Sequence, residues 1–410
     1  MDKLLKHKEA LFSHLQERWR DLFGASFEVL LYDLTSTYFE SDPPRNEKDK
    51  RRYGYSRDKR PDCVQVVIAL VITPEGFPLA YEVMAGNTSD KTTLKGFLER
   101  IEKQYGKAQR IWVMDRGIPT EEVLAQMRAS EPPVSYVVGT PKGRLSKLEA
   151  ALLEVPWQDV RPGVEVKLLA QGEELYVLAK SRDRVNKERA MRQRQLKGLW
   201  KRLHELAAMR LSARNLLIKL GEAKGKYRAA WRLIDFELPE ATQKAHASFG
   251  FELNRGKLRE VMRREGRYLL RTNLSGRDPG ELWEFYIRLV EIEEAFKNLK
   301  GDLALRPIHH QLEERIESHI FIAFMAYCLH VTLRARLRPL AAGLTPRAVL
   351  GKFAAMQMLD VHFPTSDGRT LILSRYTQPE TDQKILLEQL GLSLPAQPPP
   401  RITSAGKLAS

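Results

Sequence analysis

The sequence predicts a mixed α/β protein on three observations. Over the first 150 residues, β-branched apolar runs alternate with amphipathic helical patterns. A basic, largely helical stretch then breaks that rhythm, and helical periodicity takes over from about residue 276. Alternation of this kind builds a mixed sheet with helices on its faces.

An opening amphipathic helix carries Leu4, Leu5, Ala10, Leu11, Leu15 and Trp19. Phe27 to Thr35 follows as a strand ending in Asp33. Val64 to Ile72 is continuously apolar and β-branched, as a strand covered on both faces must be. Pro74-Glu-Gly76 turns it back into a strand over Phe77 to Met84, a hairpin. Asp90 caps a helix through Leu94, Phe97 and Ile101. A strand from Arg110 ends in Asp115; a helix opened by Pro119 and Thr120 and a strand from Val134 to Thr140 complete this part.

Beyond residue 141 the expected elements are strands at Val164 to Leu169 and Glu174 to Leu178, then a long helix from about Lys187 to Ala208. Leu196, Leu199, Trp200 and Leu203 form its apolar stripe. Strands resume at Tyr227 to Leu238 and Tyr268 to Asn273. Helices are expected over Phe285 to Lys300, Glu313 to Leu337 and Arg347 to Met358. The Pro-rich tail from Leu394 is expected to be disordered.

The 410 residues carry a formal charge of +15, which favours a polyanionic partner. Between Ser181 and Ala230 there are 15 Lys or Arg against 4 Asp or Glu. This concentration reads as a phosphate-contacting surface, with Arg189, Arg192, Arg194 and Lys197 as its candidates, against the alternative of a solvated helix face. Arg45 to Arg60 holds eight more basic residues around Tyr53 and Tyr55; gripping nucleic acid and an ordinary exposed loop explain it about equally. Cys63 and Cys328 are the only cysteines. Far apart and without CxxC spacing, they argue against a disulfide framework or zinc site and for a reducing cytoplasm. The N-terminus lacks the apolar region of a signal peptide. The longest apolar run, Ile320 to Leu329, is too short to span a bilayer, so no membrane is expected. Without a Gly-rich phosphate loop, no nucleotide cofactor is expected either.

On the helix Phe285 to Lys300, Phe285, Leu289, Ile292, Phe296 and Leu299 recur at core-facing spacing. Tyr286, Glu293, Lys297 and Lys300 share a neighbouring face, so an aromatic hydroxyl, a carboxylate and two ammonium groups line up. That surface can hold a cation through Glu293 while the lysines meet a polyanion; an ordinary Glu-to-Lys pair is the plainer alternative. Either Asp33 or Asp115 alone reads as a turn or cap residue. Together, each ending a strand and joined by Glu293, they read as an oxygen-only site for Mg²⁺ or Mn²⁺. Two such ions can activate water or a 3′-hydroxyl against a phosphodiester. His309, His310 and His319 lack zinc-like spacing and read as structural residues or phosphate contacts.

Four blocks, Tyr32-Asp-Leu-Thr-Ser-Thr-Tyr-Phe-Glu40, Ala85-Gly-Asn-Thr-Ser-Asp90, Val113-Met-Asp-Arg-Gly117 and Tyr286…Glu293…Lys300, resemble insertion-sequence DDE transposases. The resemblance is to the IS4 superfamily and, within it, the IS1634-like group. Arg306-Pro-Ile-His-His310 and Arg315-Ile-Glu-Ser-His319 resemble the continuation of the pattern, which covers about residues 25 to 360. It implies a ribonuclease-H-like core with Asp33, Asp115 and Glu293 as catalytic metal ligands. The core would occupy residues 25–145 and 276–375, around a basic β-rich and helical insertion over 146–275. Residues 1–24 would be an N-terminal helix and 376–410 a partly disordered tail.

The resemblance further implies Mg²⁺-dependent (or Mn²⁺-dependent) nicking and strand transfer at transposon ends in a prokaryotic cytoplasm, at the nucleoid. The partners are end and target DNA and a second copy of the chain, with Tyr286, Lys297 and Lys300 contacting DNA. Two departures stand out. The usual Y-x2-R-x3-E-x6-K pattern has Leu289 at its Arg position, with Arg288 one residue off, about 100° around a helix. The end-recognition domain usual before the first catalytic strand is expected to be missing or truncated. A DNA-binding relic or regulator that does not cut, and a nuclease without strand transfer, are the competing readings.

Overall fold

The computed structural model describes residues 2–46, 48–105, 109–140, 142–209, 211–238 and 249–403. The chain divides into two compact units, residues 1–106 with 290–410, and residues 107–289.

Unit one opens with helices α1 (Asp2–Leu5) and α2 (Lys8–Phe23). Strands β1 (Val29–Phe39), β2 (Val64–Ile72) and β3 (Pro78–Ala85) follow, then helix α3 (Asp90–Tyr105). The order β3-β2-β1 is antiparallel throughout. Every residue of β2 is buried, as its uninterrupted apolar run requires. The hairpin closes at Gly76, whose φ of +95° suits a residue without a Cβ. β1 is longer than expected. Asp33, opposite Leu70, lies within the strand, because Thr35 and Thr37 continue the pairing to Phe39 opposite Val64; the expectation that Asp33 ends the strand is corrected.

Unit two contains β4 (Ile111–Met114), α4 (Glu121–Ala129), β5 (Ser135–Gly139), α5 (Lys142–Glu154), β6 (Gln158–Arg161), β7 (Val164–Gln171) and β8 (Glu174–Ser181). Helices α6 (Arg182–Ala208), α7 (Ala213–Lys226) and α8 (Arg228–Trp231) come next. The unit ends with β9 (Ile234–Glu237), β10 (Gly250–Leu253), α9 (Arg255–Arg263), β11 (Arg267–Thr272) and α10 (Pro279–Ile287). Its main sheet runs β4-β5-β11-β8-β7-β6 and is mixed: β4 and β5 are parallel and the rest antiparallel. The expected α/β class is therefore present. β11 pairs with both β5 and β8, so strands assigned to an insertion beginning at residue 146 join the sheet of β4 and β5. Tyr227 to Trp231, expected in a strand, is the short helix α8 with its cap. Ala230 is buried with Leu199, Leu203 and Leu220 in the core beneath the basic helices.

The chain returns to unit one with α11 (Leu289–Lys300), α12 (Glu313–Leu340), α13 (Pro346–Phe353), β12 (Met358–Pro364), β13 (Thr370–Tyr376), α14 (Thr381–Gln389) and β14 (Arg401–Ile402). α11 begins one residue before the boundary between the units. The stretch expected as one helix is interrupted at Arg288, which caps α10 and belongs to neither helix. α12 is the core helix: Ile316, Phe321, Phe324, Tyr327, Cys328 and Val331 are buried. Trp19 of α2 donates its indole N–H to Thr332 at 2.8 Å, and Phe12 packs on Phe324 at 5.1 Å between centroids. By length and composition α12 could cross a membrane, and half of that stretch is buried within the protein. The expected tail is structured in part. α14 carries a capping box between Glu380 and Gln383, and β14 pairs with β13.

Candidate active site

In β1 the side chains alternate, so half-buried Asp33 shares a face with Leu31 and Thr35 while Tyr32 points the other way. The Tyr32 hydroxyl donates to Thr93 Oγ1 at 2.9 Å. On α11 the residues Ile292, Ala295, Phe296 and Leu299 are buried, which leaves Glu293 and Lys297 exposed. The neighbouring carboxylates are already engaged: Arg334 reaches Glu291 at 3.1 Å and Glu294 at 3.8 Å. Among the described residues, Glu293 makes no ion pair. Its exposure suits a carboxylate kept for an incoming cation.

Lys300 stands differently from Lys297. Its ammonium is largely buried and lies 2.8 Å from Asp58 Oδ1, which also receives Arg306 at 2.7 Å. Burial pulls the Lys300 ammonium below its ordinary value, against the pull of Asp58. This lysine braces the basic loop that contains Asp58. Of the three histidines, His319 is held in the fold: its Nε2 lies 3.2 Å from the carbonyl of Leu305, and its ring meets His310 edge-on, whereas His309 is exposed.

In unit two, Asp115 follows the last residue of β4, as expected, and is exposed. Its Oδ1 accepts the Arg116 N–H at 2.7 Å and the Tyr286 hydroxyl at 3.2 Å. Three neighbours set the position of Tyr286. Its ring lies over Gly139 at the end of β5, where any Cβ would collide with it. It also stacks on Tyr268 of β11, with centroids 6.0 Å apart. Burial, and then the Asp115 charge, push the Tyr286 hydroxyl above the ordinary tyrosine range. It therefore stays a hydrogen-bond donor at physiological pH.

Asp115 and Tyr286 open into a cavity of about 740 Å³, lined also by Arg116, Arg184, Arg232, Arg264 and Arg267. Arg184 lies over the Tyr268 ring at 4.6 Å. Sequence reasoning misses this arginine lining because it gathers from a loop after β4, from α6, from the ends of α8 and α9 and from β11, spread between Arg116 and Arg267. The candidate cations of α6 divide: Arg189, Arg194 and Lys197 are exposed, whereas Arg192 is largely buried against Glu265. Glu265 also faces Arg189 at 3.9 Å.

Oxygen-only donors such as Asp33, Asp115 and Glu293 suit a hard divalent cation in chemistry. Among the described residues, no three His, Cys, Asp or Glu side chains are gathered as a metal cluster. Asp33 and Glu293 belong to unit one and Asp115 to unit two.

Comparison with curated proteins returns no match. Among solved structures, the chain is similar to the piggyBac transposase in a synaptic complex with hairpin DNA, at 10% identity and a TM-score of 0.39. The similarity covers 89% of this chain and 66% of that one, so the chain spans just under two thirds of that relative. A family model described as a transposase DDE domain matches residues 25–329, and the chain belongs to that family.

Proposed function

We propose that the protein nicks DNA at the ends of an insertion sequence and joins the freed 3′ ends to target DNA, acting as a pair on nucleoid DNA in the cytoplasm. The observation that carries this reading is the pairing of Asp115 with Tyr286 at the mouth of an arginine-lined cavity, in a chain of this family. We assign Asp33, Asp115 and Glu293, on a ribonuclease-H-like core, as the carboxylates that hold Mg²⁺ or Mn²⁺. When bound, these ions supply an activated oxygen nucleophile and stabilise the leaving oxygen. The chain's own residues do the positioning. Tyr286 fixes the rotamer of Asp115 by donating to Oδ1, and Gly139 keeps the space that Tyr286 needs. The cavity arginines hold the phosphodiester backbone through their planar donor forks. The exposed Arg194 and Lys197 extend that grip along the duplex without reading sequence.

The test uses a DNA carrying the element ends, with Mg²⁺. Asp33→Ala, Asp115→Ala and Glu293→Ala should each lower nicking and joining by roughly 10³-fold or more, with the double and triple variants no worse. DNA binding without metal should persist, since losing a carboxylate lessens repulsion of phosphate. Glu291→Ala and Glu294→Ala should keep activity, because Arg334 already occupies those groups. Nicking that survives all three core substitutions would refute the assignment.

A further inference from the structure

The small sheet of unit one has the order β12-β13-β14, which leaves one long side of β12 as an edge. Among the described residues no strand pairs with that side. All seven residues of β12 are exposed, and Met358, Leu359, Val361 and Phe363 keep 42 to 54% of their surface in solvent. Register places Val361 opposite Leu373, Phe363 opposite Leu371, and Leu371 opposite Ile402. One face of the sheet is therefore an uncovered apolar stripe that begins at its open edge. A long, apolar edge with unpaired N–H and C=O groups is a template for another strand.

We propose that this edge pairs with β12 of a second copy of the chain, antiparallel, about a two-fold axis through Val361. The inference specifies the surface of the pair invoked under the proposed function, and it rests on that reading only for its purpose. The sequence of β12 is self-complementary in this register. On the apolar face Val361 meets the partner's Val361, and Leu359 meets the partner's Phe363. On the opposite face Asp360 meets the partner's His362, which places a carboxylate against an imidazole. Other registers lose this match. Shifting the axis to residue 360 sets Asp360 against the partner's Asp360, and an odd slip moves the apolar stripe to the other face. Parallel in-register pairing also stacks like on like. The two-fold arrangement closes the open edge and makes one six-stranded sheet, β14-β13-β12-β12-β13-β14. A two-fold contact of this kind is isologous and does not grow into a filament. Its outer strands are β14, where Arg401 is tied to Asp360 of its own chain at 3.3 Å.

Cysteine trapping of the full chain, without DNA, tests the register. The native Cys63 and Cys328 are buried and do not interfere. Val361→Cys should form a disulfide-linked dimer under mild oxidation. Directly opposed antiparallel residues lie ~4.5–5.5 Å apart between Cα atoms, within disulfide reach. Leu359→Cys should not cross-link, because its two copies would lie roughly 14 Å apart, four residues along the strands. Combining Leu359→Cys with Phe363→Cys should restore the link. In sedimentation velocity at micromolar concentration, the wild type should run as a dimer. Val361→Asp, which sets like charges on the axis, should weaken it at least about tenfold.

A monomeric wild type, or a Leu359→Cys link as ready as that of Val361→Cys, overturns the interface. So does capture of a different protein at β12 by a chain that remains monomeric. Nicking by a wild type that sediments as a monomer, with no cross-link from Val361→Cys, removes this interface and leaves the transposase reading. A cross-linked dimer that never nicks does the reverse.

Discussion

In unit one the carboxylate of Asp58, 5% exposed, holds the largely buried ammonium of Lys300 and the more open guanidinium of Arg306. In unit two the carboxylate of Glu265, 3% exposed, holds the largely buried Arg192 and the 48% exposed Arg189. Both triads place one buried acid between an inner and an outer base, and both carry a net positive charge. They differ in what the inner base can do. Lys300 can give up its proton when burial becomes too costly, whereas a guanidinium stays charged. The setting differs too: Asp58 and Lys300 brace a loop against the end of α11, while Arg192 lines the arginine cavity. Positive charge counted along a sequence is therefore not the charge offered to a polyanion. Part of it is already neutralised inside the fold.

The largest expected effect separates the two triads by stability. Asp58→Ala leaves Lys300 and Arg306 facing each other without their shared acid. It should cost about 3–5 kcal/mol, the scale for breaking a buried ion pair from one side. Glu265→Ala should cost less, because Arg189 is half in solvent and Arg192 can turn into the cavity. Urea unfolding of both variants measures the difference through the shift in midpoint at constant slope. An equal or larger loss for Glu265→Ala would mean that the two triads are the same device after all.

The triads also mark what can be read in the sequence and what cannot. Periodicity and turn chemistry act locally, so the buried strand β2, the hairpin at Gly76, the Thr120 cap of α4 and the long helix α6 are legible. Asp115 at the end of β4 is legible for the same reason. The partners of charged residues are not. Asp58 and Lys300 are 242 residues apart, and Tyr286 and Asp115 are 171 apart, so neither pairing leaves a local trace. Helical spacing places Lys300 beside Glu293 and suggests a DNA contact; its burial depends on a loop that spacing does not see. The interruption at Arg288 escapes for another reason. Phe285 to Lys300 contains no Pro or Gly, and the break falls where the chain leaves one unit for the other rather than at a helix-breaking residue. Strand β12 does carry a signal, since Leu359, Val361 and Phe363 alternate with Asp360 and His362 before Pro364. The helix expected to reach Met358 obscures it, and that helix in fact ends at Phe353.

A middle-sized effect separates the inner and outer cations of α6. If the exposed residues grip phosphate, Arg194→Gln and Lys197→Gln should weaken binding alike on all DNA sequences. Each should flatten the dependence of log affinity on log salt by roughly 0.9 for every phosphate no longer neutralised. Arg192→Gln should change stability and leave that slope nearly unchanged, because Glu265 already takes its charge. A salt titration of DNA affinity for the three variants decides the matter. Equal slope changes would show that Arg192 exchanges Glu265 for phosphate when DNA arrives.

The smallest effect is a pH dependence confined to the lysine triad. Lys300 has its ammonium pulled below the ordinary 10.5 by burial. Between that lowered value and 10.5, the unfolded chain binds a proton at this site that the folded chain has released. Stability contributed by the site therefore rises with pH across that window, and it is flat below it, where both states are protonated. Buried tyrosines such as Tyr81 and Tyr327, raised by desolvation, pull the other way at high pH, so the wild-type curve alone does not isolate the lysine. The difference between wild type and Lys300→Met does. Unfolding free energies from urea titrations, taken from neutral pH up to the ordinary lysine range, should show the wild type gaining on Lys300→Met as pH rises. The same comparison for Arg192→Met should stay level, since a guanidinium does not titrate there. If the Lys300 difference instead fell with pH, attraction to Asp58 would outweigh desolvation. Lys300 would then be as permanently charged as Arg192, and the distinction between the triads would reduce to exposure alone.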